Sequence, residues 1–287
     1  MLNNNTGSFI GCEASFEEAK YVLFGAPFDS TASFRPGARF ACKTMRAESY
    51  GIETYSPYQD MDMEDLRVFD SGDIELCIGD ANIALSQIEA FTEKTLQRRK
   101  IPVMIGGEHL VTLGVVRSLI KEYPELHIIH FDAHADLRDE YLGTKLSHAT
   151  VVRRVWDLTG DGRIFQFGIR SGDKSEFVWS RERVHMQKYD FNGLEDVVRS
   201  LAKKPVYFTL DMDVLDPSVF PGTGTPEAGG VSFTELLDAL KQLSALNIVG
   251  FDMVELAPNY DLSGVSTAVA CKLLREILLI LNSRENA

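Results

Sequence analysis

Short apolar runs alternate with amphipathic stretches along most of the 287-residue chain. The runs are rich in β-branched and aromatic residues and read YVLFGAP, PVMIGG, LHIIHFD, IFQFGIR, VYFTLD and IVGFDMVEL. Several intervening or following segments have helical periodicity, among them IALSQIEAFTEKTLQRRK, LVTLGVVRSLIKEY, FTELLDALKQLSAL and STAVACKLLREILLIL. This alternation predicts an α/β fold with three layers, in which helices cover both faces of a central, mostly parallel sheet.

Polar side chains follow four of the predicted strands. In chain order they are Glu108 and His109, then Asp132, His134 and Asp136, then Asp211 and Asp213, and finally Glu255. Parallel sheets bind ligands at the carboxyl ends of their strands, so these residues are expected at one edge of the sheet. Side chains at every second position of an extended segment also point to the same face.

Such a cluster is electrostatically unfavourable by itself. Neighbouring carboxylates repel one another, and burial adds to the cost, unless a cation or a proton lies between them. Aspartate and histidine after a strand are also common turn and helix-capping residues, and Asp216 before Pro217 is interpreted in that way. Because capping would need several coincidences to explain all four strand ends, we predict a metal site.

The charge of the cluster indicates how many cations it holds. Four aspartates beside neutral His109 and His134 balance two divalent cations and leave room for one hydroxide. Oxygen-rich ligation with one imidazole per metal favours manganese over zinc, with cobalt or zinc as substitutes. Two cations that share one water lower its pKa far enough to keep a hydroxide nucleophile at neutral pH.

The overall charge limits the partners. With 42 acidic and 29 basic residues, a formal charge of -13 repels nucleic acid and anionic membranes and attracts cationic ligands. The chain contains no run of eighteen apolar residues and no signal-like start, so we expect a cytoplasmic protein without a membrane span. The acidic segment YQDMDMEDLRVFDSGDIE is interpreted as a solvated loop and helix start.

Several longer motifs carry a family resemblance. GGEH, FDAHAD, LSHAT, LDMDVLDP, GTGTPEAGG and FDMVELAP, with PFDSTASFRPGAR near the start, occur in the order typical of the ureohydrolases. The chain resembles this family of arginases and agmatinases, and most closely the bacterial agmatinases. The resemblance implies one domain with the arginase-like fold over residues 1–287, with residues 1–8 as a flexible tail, assembled as a homo-oligomer, either a trimer or a hexamer.

The resemblance also implies roles for individual residues. One Mn²⁺ of each subunit would be held by His109, Asp132, Asp136 and Asp211, and the second by His134, Asp132, Asp211 and Asp213. Asp132 and Asp211 would bridge the two. Glu108, which stands where the family often has aspartate, is not carried over as a ligand. Asp136 would protonate the departing amine, His148 would exchange protons with solvent, and Glu255 would hold the substrate guanidinium.

The remaining histidines are given structural roles. His127 and His130 lie within a predicted strand and are interpreted as core residues or as supports of the ligands, whereas His185 is expected at the surface. The segment PFDSTASFRPGARF, with Arg35 and Arg39, is interpreted as a turn near the same edge of the sheet, where it shapes the pocket or a subunit contact.

The loop after FDAHAD bears on the choice of guanidine. It contains Asp139 and Glu140, which would repel a carboxylate and suit an ammonium group, so the small cationic guanidino compound agmatine is the predicted substrate. Hydrolysis would yield putrescine and urea, a reaction of polyamine biosynthesis. Arg138 and Lys145 of the same loop keep 4-guanidinobutyrate open, with arginine and guanidine as further alternatives.

Two other classes of protein fit the sequence less well. A metal-dependent deacetylase of the same superfold uses a single zinc bound by Asp, His and Asp, and would have no use for His109 and Asp213 as ligands of a second metal. A non-catalytic homologue would be expected to lack ligands, and none is missing in this sequence.

Overall fold

The computed structural model describes residues 7–282. The strands are β1 (Tyr21–Ala26), β2 (Tyr55–Ser56), β3 (Met61–Asp62), β4 (Val68–Asp73), β5 (Ile101–Gly106), β6 (His127–Phe131), β7 (Ile164–Ile169), β8 (His185–Lys188), β9 (Pro205–Asp211) and β10 (Asn247–Val254). The α-helices are α1 (Ala41–Glu48), α2 (Ala81–Gln97), α3 (Thr112–Glu122), α4 (Val151–Thr159), α5 (Lys174–Ser180), α6 (Leu194–Leu201), α7 (Phe233–Gln242) and α8 (Val265–Asn282).

Eight of these strands form one sheet in the order β4-β1-β5-β10-β9-β6-β7-β8. Each neighbouring pair in this sheet is parallel, whereas β2 and β3 form a small antiparallel ribbon. The six apolar runs of the sequence correspond to β1, β5, β6, β7, β9 and β10. The predicted parallel sheet is therefore confirmed.

The sheet separates two apolar cores. Alternate residues of β5 show the division, because Val103 and Ile105 belong to one core and Met104 to the other. Buried residues of α1, α6, α7 and α8 pack in the first core, and those of α2, α3 and α4 pack in the second. Helices thus cover both faces of the sheet, and the predicted three-layer arrangement is confirmed.

The four strands that precede the polar clusters are neighbours at the centre of the sheet, in the order β5-β10-β9-β6. Their ends are level, since Met253 is paired with Ile105, Val254 with Asp211, and Phe131 with Leu210. Because of this register, the residues that follow these four strands lie close together at the carboxyl edge of the sheet.

The interpretation of YQDMDMEDLRVFDSGDIE as a loop and helix start was wrong. Its second half forms the edge strand β4, which pairs with β1. Arg46 of α1, itself buried, donates hydrogen bonds to Asp70 and Asp73, and this pairing allows two acidic residues to lie in a sheet strand. Edge strands are half-exposed and polar, so they lack the apolar signal of central strands.

The N-terminal tail stays a prediction. Residues 1–6 lie outside the described residues, and from Phe9 onward the chain is fixed, because Phe9 is buried and its N–H donates to Asp70. Within residues 7–282, no helix has the combination of length and apolarity needed to span a bilayer.

Candidate metal centre

His109 follows β5 and is 1% exposed. Its Nε2 lies 2.9 Å from the hydroxyl of Thr209, and that hydroxyl donates to Asp252 at 2.6 Å. Because the Thr209 proton is already directed to Asp252, the hydroxyl accepts from Nε2–H of His109. This arrangement leaves the other ring nitrogen of His109, Nδ1, facing the polar cluster.

The Nδ1 atom of His109 is buried and makes no hydrogen bond. Three carboxylate oxygens surround it, from Asp132 at 3.2 Å, Asp211 at 3.2 Å and Asp136 at 3.4 Å. One ring nitrogen and three carboxylate oxygens thus converge without a hydrogen bond at that nitrogen, and they form a donor set suited to a divalent cation. The four residues are those that the sequence predicted as the first manganese site.

Asp132 extends from the end of β6 between the two histidines. Its Oδ2 faces His109, while its Oδ1 accepts the backbone N–H of His134 at 2.6 Å and lies 3.6 Å from His134 Nδ1. The two oxygens of one carboxylate therefore face two different imidazoles. This arrangement fits the predicted bridging position of Asp132.

The second group of ligand atoms comprises Asp132, His134 and Asp213. His134 Nδ1 lies 3.0 Å from Asp213 Oδ2, and the other oxygen of Asp213 accepts the N–H of Ala133. Asp211 turns Oδ2 toward His109, whereas its Oδ1 accepts the N–H of Asp213 at 2.9 Å. The structure thus brings all six predicted ligands together, and Asp211 contacts both His109 and Asp213.

Several side chains of the cluster have shifted pKa values. Burial opposes a charge on His109 and His134, but the surrounding carboxylates raise the pKa of both imidazoles well above the ordinary value. Burial and the neighbouring carboxylate of Asp132 also raise the pKa of Asp136 and Asp211. A divalent cation bound among these groups would compete with protons for the same nitrogen and oxygen atoms.

Residues inside the strands support the ligands. His130 Nε2 lies 2.8 Å from Asp132 Oδ2, and its Nδ1 lies 3.0 Å from the Gln166 amide nitrogen. His130, His109 and Asp132 are close enough to hold a cation. The Nε2 of His130 nevertheless faces Asp132 as a donor, since the amide of Gln166 occupies its Nδ1. We therefore interpret His130 as a support of the bridging carboxylate.

The sequence reasoning missed Thr209, Asp252 and Gln166. Asp252 is fully buried and accepts hydrogen bonds from Thr112, Tyr207 and Thr209. Each of the three missed residues is a polar residue within an otherwise apolar central strand, which is a signal visible in the sequence.

Glu255 follows β10 in a left-handed backbone conformation with φ of 66°. Its Oε1 accepts the backbone N–H of His109 at 2.7 Å, and burial raises the pKa of its carboxyl to about 7. The N–H of Glu255 donates to Gly107, where a Cβ would lie 2.0 Å from the carbonyl oxygen of Phe28. Glycine is therefore required at position 107, and strain at Glu255 is typical of functional sites.

A cavity of about 370 Å³ opens above the cluster. Its lining includes His134, Asp136, Asp211 and Glu255 at the inner end, and Arg138, Tyr141, His148, Asp173 and Glu176 nearer the opening. His148 lies on this wall, and burial lowers the pKa of its imidazole to about 4, so the ring is neutral at neutral pH.

The acidic residues at the opening differ from those predicted. Asp139 and Glu140 do not line the cavity, and Asp139 instead pairs with Arg154 at 2.7 Å. Their expected role at the substrate tail was wrong, because the loop turns both side chains outward. Asp173 and Glu176, at the amino end of α5, line the cavity in their place.

Arg138 is the basic residue of this opening. Its guanidinium lies 2.7 Å from Asp173 and 3.5 Å from Glu176, and it packs over the ring of Tyr141. Lys145 is exposed and does not line the cavity. Two carboxylates around one guanidinium leave the opening with a net negative charge.

The other predicted residues lie outside the cluster. His185 is exposed in β8, as expected, and His127 is half-buried at the start of β6. Asp216 accepts backbone N–H groups from Ser218, Gly229 and Gly230, which agrees with its predicted role in a turn. Arg39 is bound to Asp29 within the loop after β1.

Comparisons with known proteins agree with this architecture. The family model described as Arginase family matches residues 19–280. An agmatinase from Bacillus cereus is 49% identical, covering 94% of this chain and 95% of that protein. The crystal structure of a putative agmatinase from Clostridium difficile is 49% identical with a TM-score of 0.92, covering 94% of this chain and 100% of that one.

A more distant structure has the same fold. The agmatine ureohydrolase of Thermoplasma volcanium is 35% identical with a TM-score of 0.89, covering 98% of this chain and 96% of that one. These matches confirm the predicted resemblance and the arginase-like fold, and with them the expectation of a ureohydrolase. The chain belongs to the arginase family.

Proposed function

We propose that this protein hydrolyses agmatine to putrescine and urea and binds two manganese ions in each subunit. The observation that carries the proposal is the unpartnered Nδ1 of His109 within 3.4 Å of three carboxylate oxygens, beside a second set formed by His134, Asp213 and Asp132. When bound, the two cations would supply a hydroxide nucleophile at neutral pH by lowering the pKa of a shared water. The agmatinases among its relatives support the choice of reaction.

We assign the predicted ligands to two sites. His109, Asp132, Asp136 and Asp211 would hold one cation, and His134, Asp132, Asp211 and Asp213 the other. Thr209 would keep the proton of His109 on Nε2, and His130 would orient Asp132, so both ligands present lone pairs to the cations without rearrangement.

Glu255 would orient the guanidinium of the substrate. One of its oxygens accepts the His109 N–H, and among residues 7–282 no hydrogen bond is described for the other. A planar guanidinium donates two parallel N–H groups, so a fixed, buried carboxylate selects both its charge and its plane. Glu255 must be ionised for this role, and a bound guanidinium lowers the pKa of its partner carboxyl.

Departure of the amine requires a proton on the leaving nitrogen. Asp136 lines the inner cavity, so its carboxylate would take up a proton there and deliver it to the leaving nitrogen. His148 lies on the wall between this region and solvent. Because its imidazole is neutral at neutral pH, it would accept a proton and exchange it with solvent.

The opening of the cavity favours an ammonium tail. Glu176 is 3% exposed, and it and Asp173 contact different nitrogens of the Arg138 guanidinium. The two carboxylates outnumber the single cation, so a primary ammonium gains a partner there and a carboxylate meets net repulsion. Asp173 and Glu176, rather than Asp139 and Glu140, would supply the negative charge that matches an ammonium tail.

A competing substrate is 4-guanidinobutyrate. Arg138 lines the cavity and would bind a carboxylate if its pairing with Asp173 opened. The deciding measurement is urea release from agmatine, 4-guanidinobutyrate, arginine and guanidine by manganese-loaded protein, with metal content determined on the same sample. We expect agmatine to be preferred at least tenfold in kcat/KM and two metals per chain. Comparable turnover of arginine or 4-guanidinobutyrate would contradict the choice of agmatine.

Two further properties stay predictions. Assembly as a trimer or hexamer follows from the family resemblance, and a cytoplasmic location was inferred from the sequence composition; sedimentation and cell fractionation would test them.

A further inference from the structure

Two loops meet at His148, the loop after β1 and the loop that precedes His148 in the chain. The loop after β1 brings Thr31 and Ser33 to this histidine, and Ser147 precedes it in the chain. Ser33 Oγ lies 3.3 Å from the Nε2 of His148, and Ser147 Oγ lies 3.3 Å from its Nδ1. The backbone N–H of His148 donates to Thr31 Oγ1 at 3.2 Å. The ring and the backbone of one residue are thus both held.

The hydrogen bonds around Thr31 form a series that leads from His148 through Thr31 to Glu108. The Thr31 hydroxyl accepts from the His148 N–H and donates its own proton to Glu108 Oε1 at 2.6 Å. The N–H of Thr31 donates to the other oxygen of Glu108 at 3.0 Å. Removing the hydroxyl of Thr31 would therefore break two bonds of this series, one on each side.

Glu108 connects the loop to the sheet. Its side chain is 1% exposed, and its backbone N–H donates to the carbonyl of Phe28 at 2.7 Å. Both contacts are to the loop after β1, and neither is to a predicted metal ligand. Glu108, adjacent to the ligand His109, thereby joins the metal-binding segment to the loop that holds His148.

We propose that Thr31 and Ser33 are positioning residues for His148, with Glu108 as the anchor of Thr31. Together they would hold the neutral ring on the cavity wall, where it can accept a proton. This inference rests on the proposed function for its catalytic consequence. The orientation of the ring is measurable without any substrate.

The surroundings of His148 determine how its ionisation responds. Tyr141 presents its ring edge-on at 5.8 Å, and the positive charge of Arg138 opposes a second positive charge on the imidazole. Burial is the main cause of its lowered pKa. Release of the loop would expose the ring to water, so the pKa would rise toward the ordinary value of about 6.5.

The first test compares two substitutions at one position. Thr31→Val retains the shape of the side chain and removes the hydroxyl, whereas Thr31→Ser retains the hydroxyl. We expect Thr31→Val to lower kcat for agmatine about fivefold to tenfold with KM changed less than twofold, since two hydrogen bonds are lost. Thr31→Ser should restore kcat to within about twofold of the parent protein.

A matched control separates positioning from stability. Thr95→Val also removes a buried hydroxyl, which donates to Phe91 within α2, a helix that does not line the cavity. It should leave kcat unchanged even if it lowers the melting temperature as much as Thr31→Val. Ser33→Ala, at an exposed site, provides a second variant should Thr31→Val fail to fold.

A double-mutant cycle tests whether the effect passes through His148. In a His148→Asn background, Thr31→Val and Ser33→Ala should cause no further loss of kcat, because the group that they position is absent. An additional loss equal to that seen with His148 present would overturn the proposal. So would a drop in activity with Thr31→Ser as large as with Thr31→Val.

The second readout is independent of turnover. Diethylpyrocarbonate acylates neutral imidazoles, and peptide mass spectrometry of the metal-loaded protein gives the rate at His148 relative to exposed His185. With Thr31→Val or Ser33→Ala we expect this ratio to rise at least about threefold and the apparent pKa of His148 to increase. An unchanged ratio overturns the positioning roles. A changed ratio in a protein that does not hydrolyse agmatine would refute the proposed function and leave the positioning roles supported.

Discussion

The inner end of the cavity and its opening are built by different means. At the inner end, the predicted ligands follow four neighbouring parallel strands whose ends are level. At the opening, Arg138, Tyr141 and Asp173 lie on loops or at the start of a helix. The first region is placed by sheet register, and the second by loop conformation.

This difference explains why the sequence predicted the positions of residues at strand ends better than those of residues on loops. A two-residue spacing at a strand end determines which face a side chain occupies, and the structure brings the residues so spaced in HFDAHAD and LDMDVLD together with His109. Loop residues have no such periodicity, and Asp139 turned outward to Arg154 while Asp173, from a distant segment, took its place. We therefore expect changes at the inner end to affect activity more strongly than changes at the opening.

Removal of metal should have the largest effect, and it acts on the inner end alone. Exhaustive chelation is expected to abolish urea release and to lower the melting temperature, because the folded cluster loses a ligand that the unfolded chain cannot bind as well. Addition of Mn²⁺ should restore both, with two metals per chain by elemental analysis. Full activity in chelated protein would rule out the metal centre.

Asp211→Asn should come next in size. The substitution preserves shape but removes one negative charge and one anionic ligand, so we expect at least about a 100-fold loss of kcat with little change in fold. Urea release, metal stoichiometry and circular dichroism would be measured together. Asp216→Asn, the same exchange outside the cluster, is the control, and near-normal turnover of Asp211→Asn would refute its place among the ligands.

The opening should respond more weakly and through KM. Asp173 and Asp139 form a matched pair, since both are more than half exposed and each lies 2.7 Å from an arginine. Asp173→Asn should raise KM for agmatine about twofold to fivefold and improve use of 4-guanidinobutyrate, because Arg138 loses its partner. Asparagine is also a good N-cap for α5.

Asp139→Asn is the control for this comparison. Its carboxylate pairs with Arg154 away from the cavity, so KM for both substrates should stay within about 1.5-fold of the parent value. Equal effects of the two substitutions would show that the carboxylate of Asp173 does not select the substrate by its charge. They would also show that its position in the cavity lining gives it no larger role than Asp139.

The smallest effect concerns the turn after β9. Hydrogen bonds from Ser218, Gly229 and Gly230 lower the pKa of Asp216 to about 2, below the value of about 3.9 in an unfolded chain. A lowered pKa in the folded state stabilises the protein above about pH 4, and this contribution is lost as the pH falls toward 2. Asp216→Asn should therefore cost less than about 1 kcal/mol at pH 7, given its exposure. Denaturant unfolding at pH 7 and pH 3 should give a smaller difference at pH 3, and an equal difference would contradict the assignment.

Much of the fold and of the inner site was predictable from the sequence. Apolar runs separated by helical periodicity specified the central strands, and the HFDAHAD and LDMDVLD segments specified which side chains share a face. The edge strand β4 was missed because Arg46 compensates its acidic residues, and a pairing between α1 and β4 leaves no local pattern.

The sequence by itself determined the parallel sheet, the family and the set of polar residues at its edge, because these depend on local periodicity and on the order of motifs. Only the tertiary structure decided that β5, β10, β9 and β6 are neighbours, that Thr209 and Asp252 hold His109, and that Asp173 rather than Asp139 lines the cavity. Those relations join residues far apart in the chain, and the packing of the whole domain determines which of many polar side chains meet.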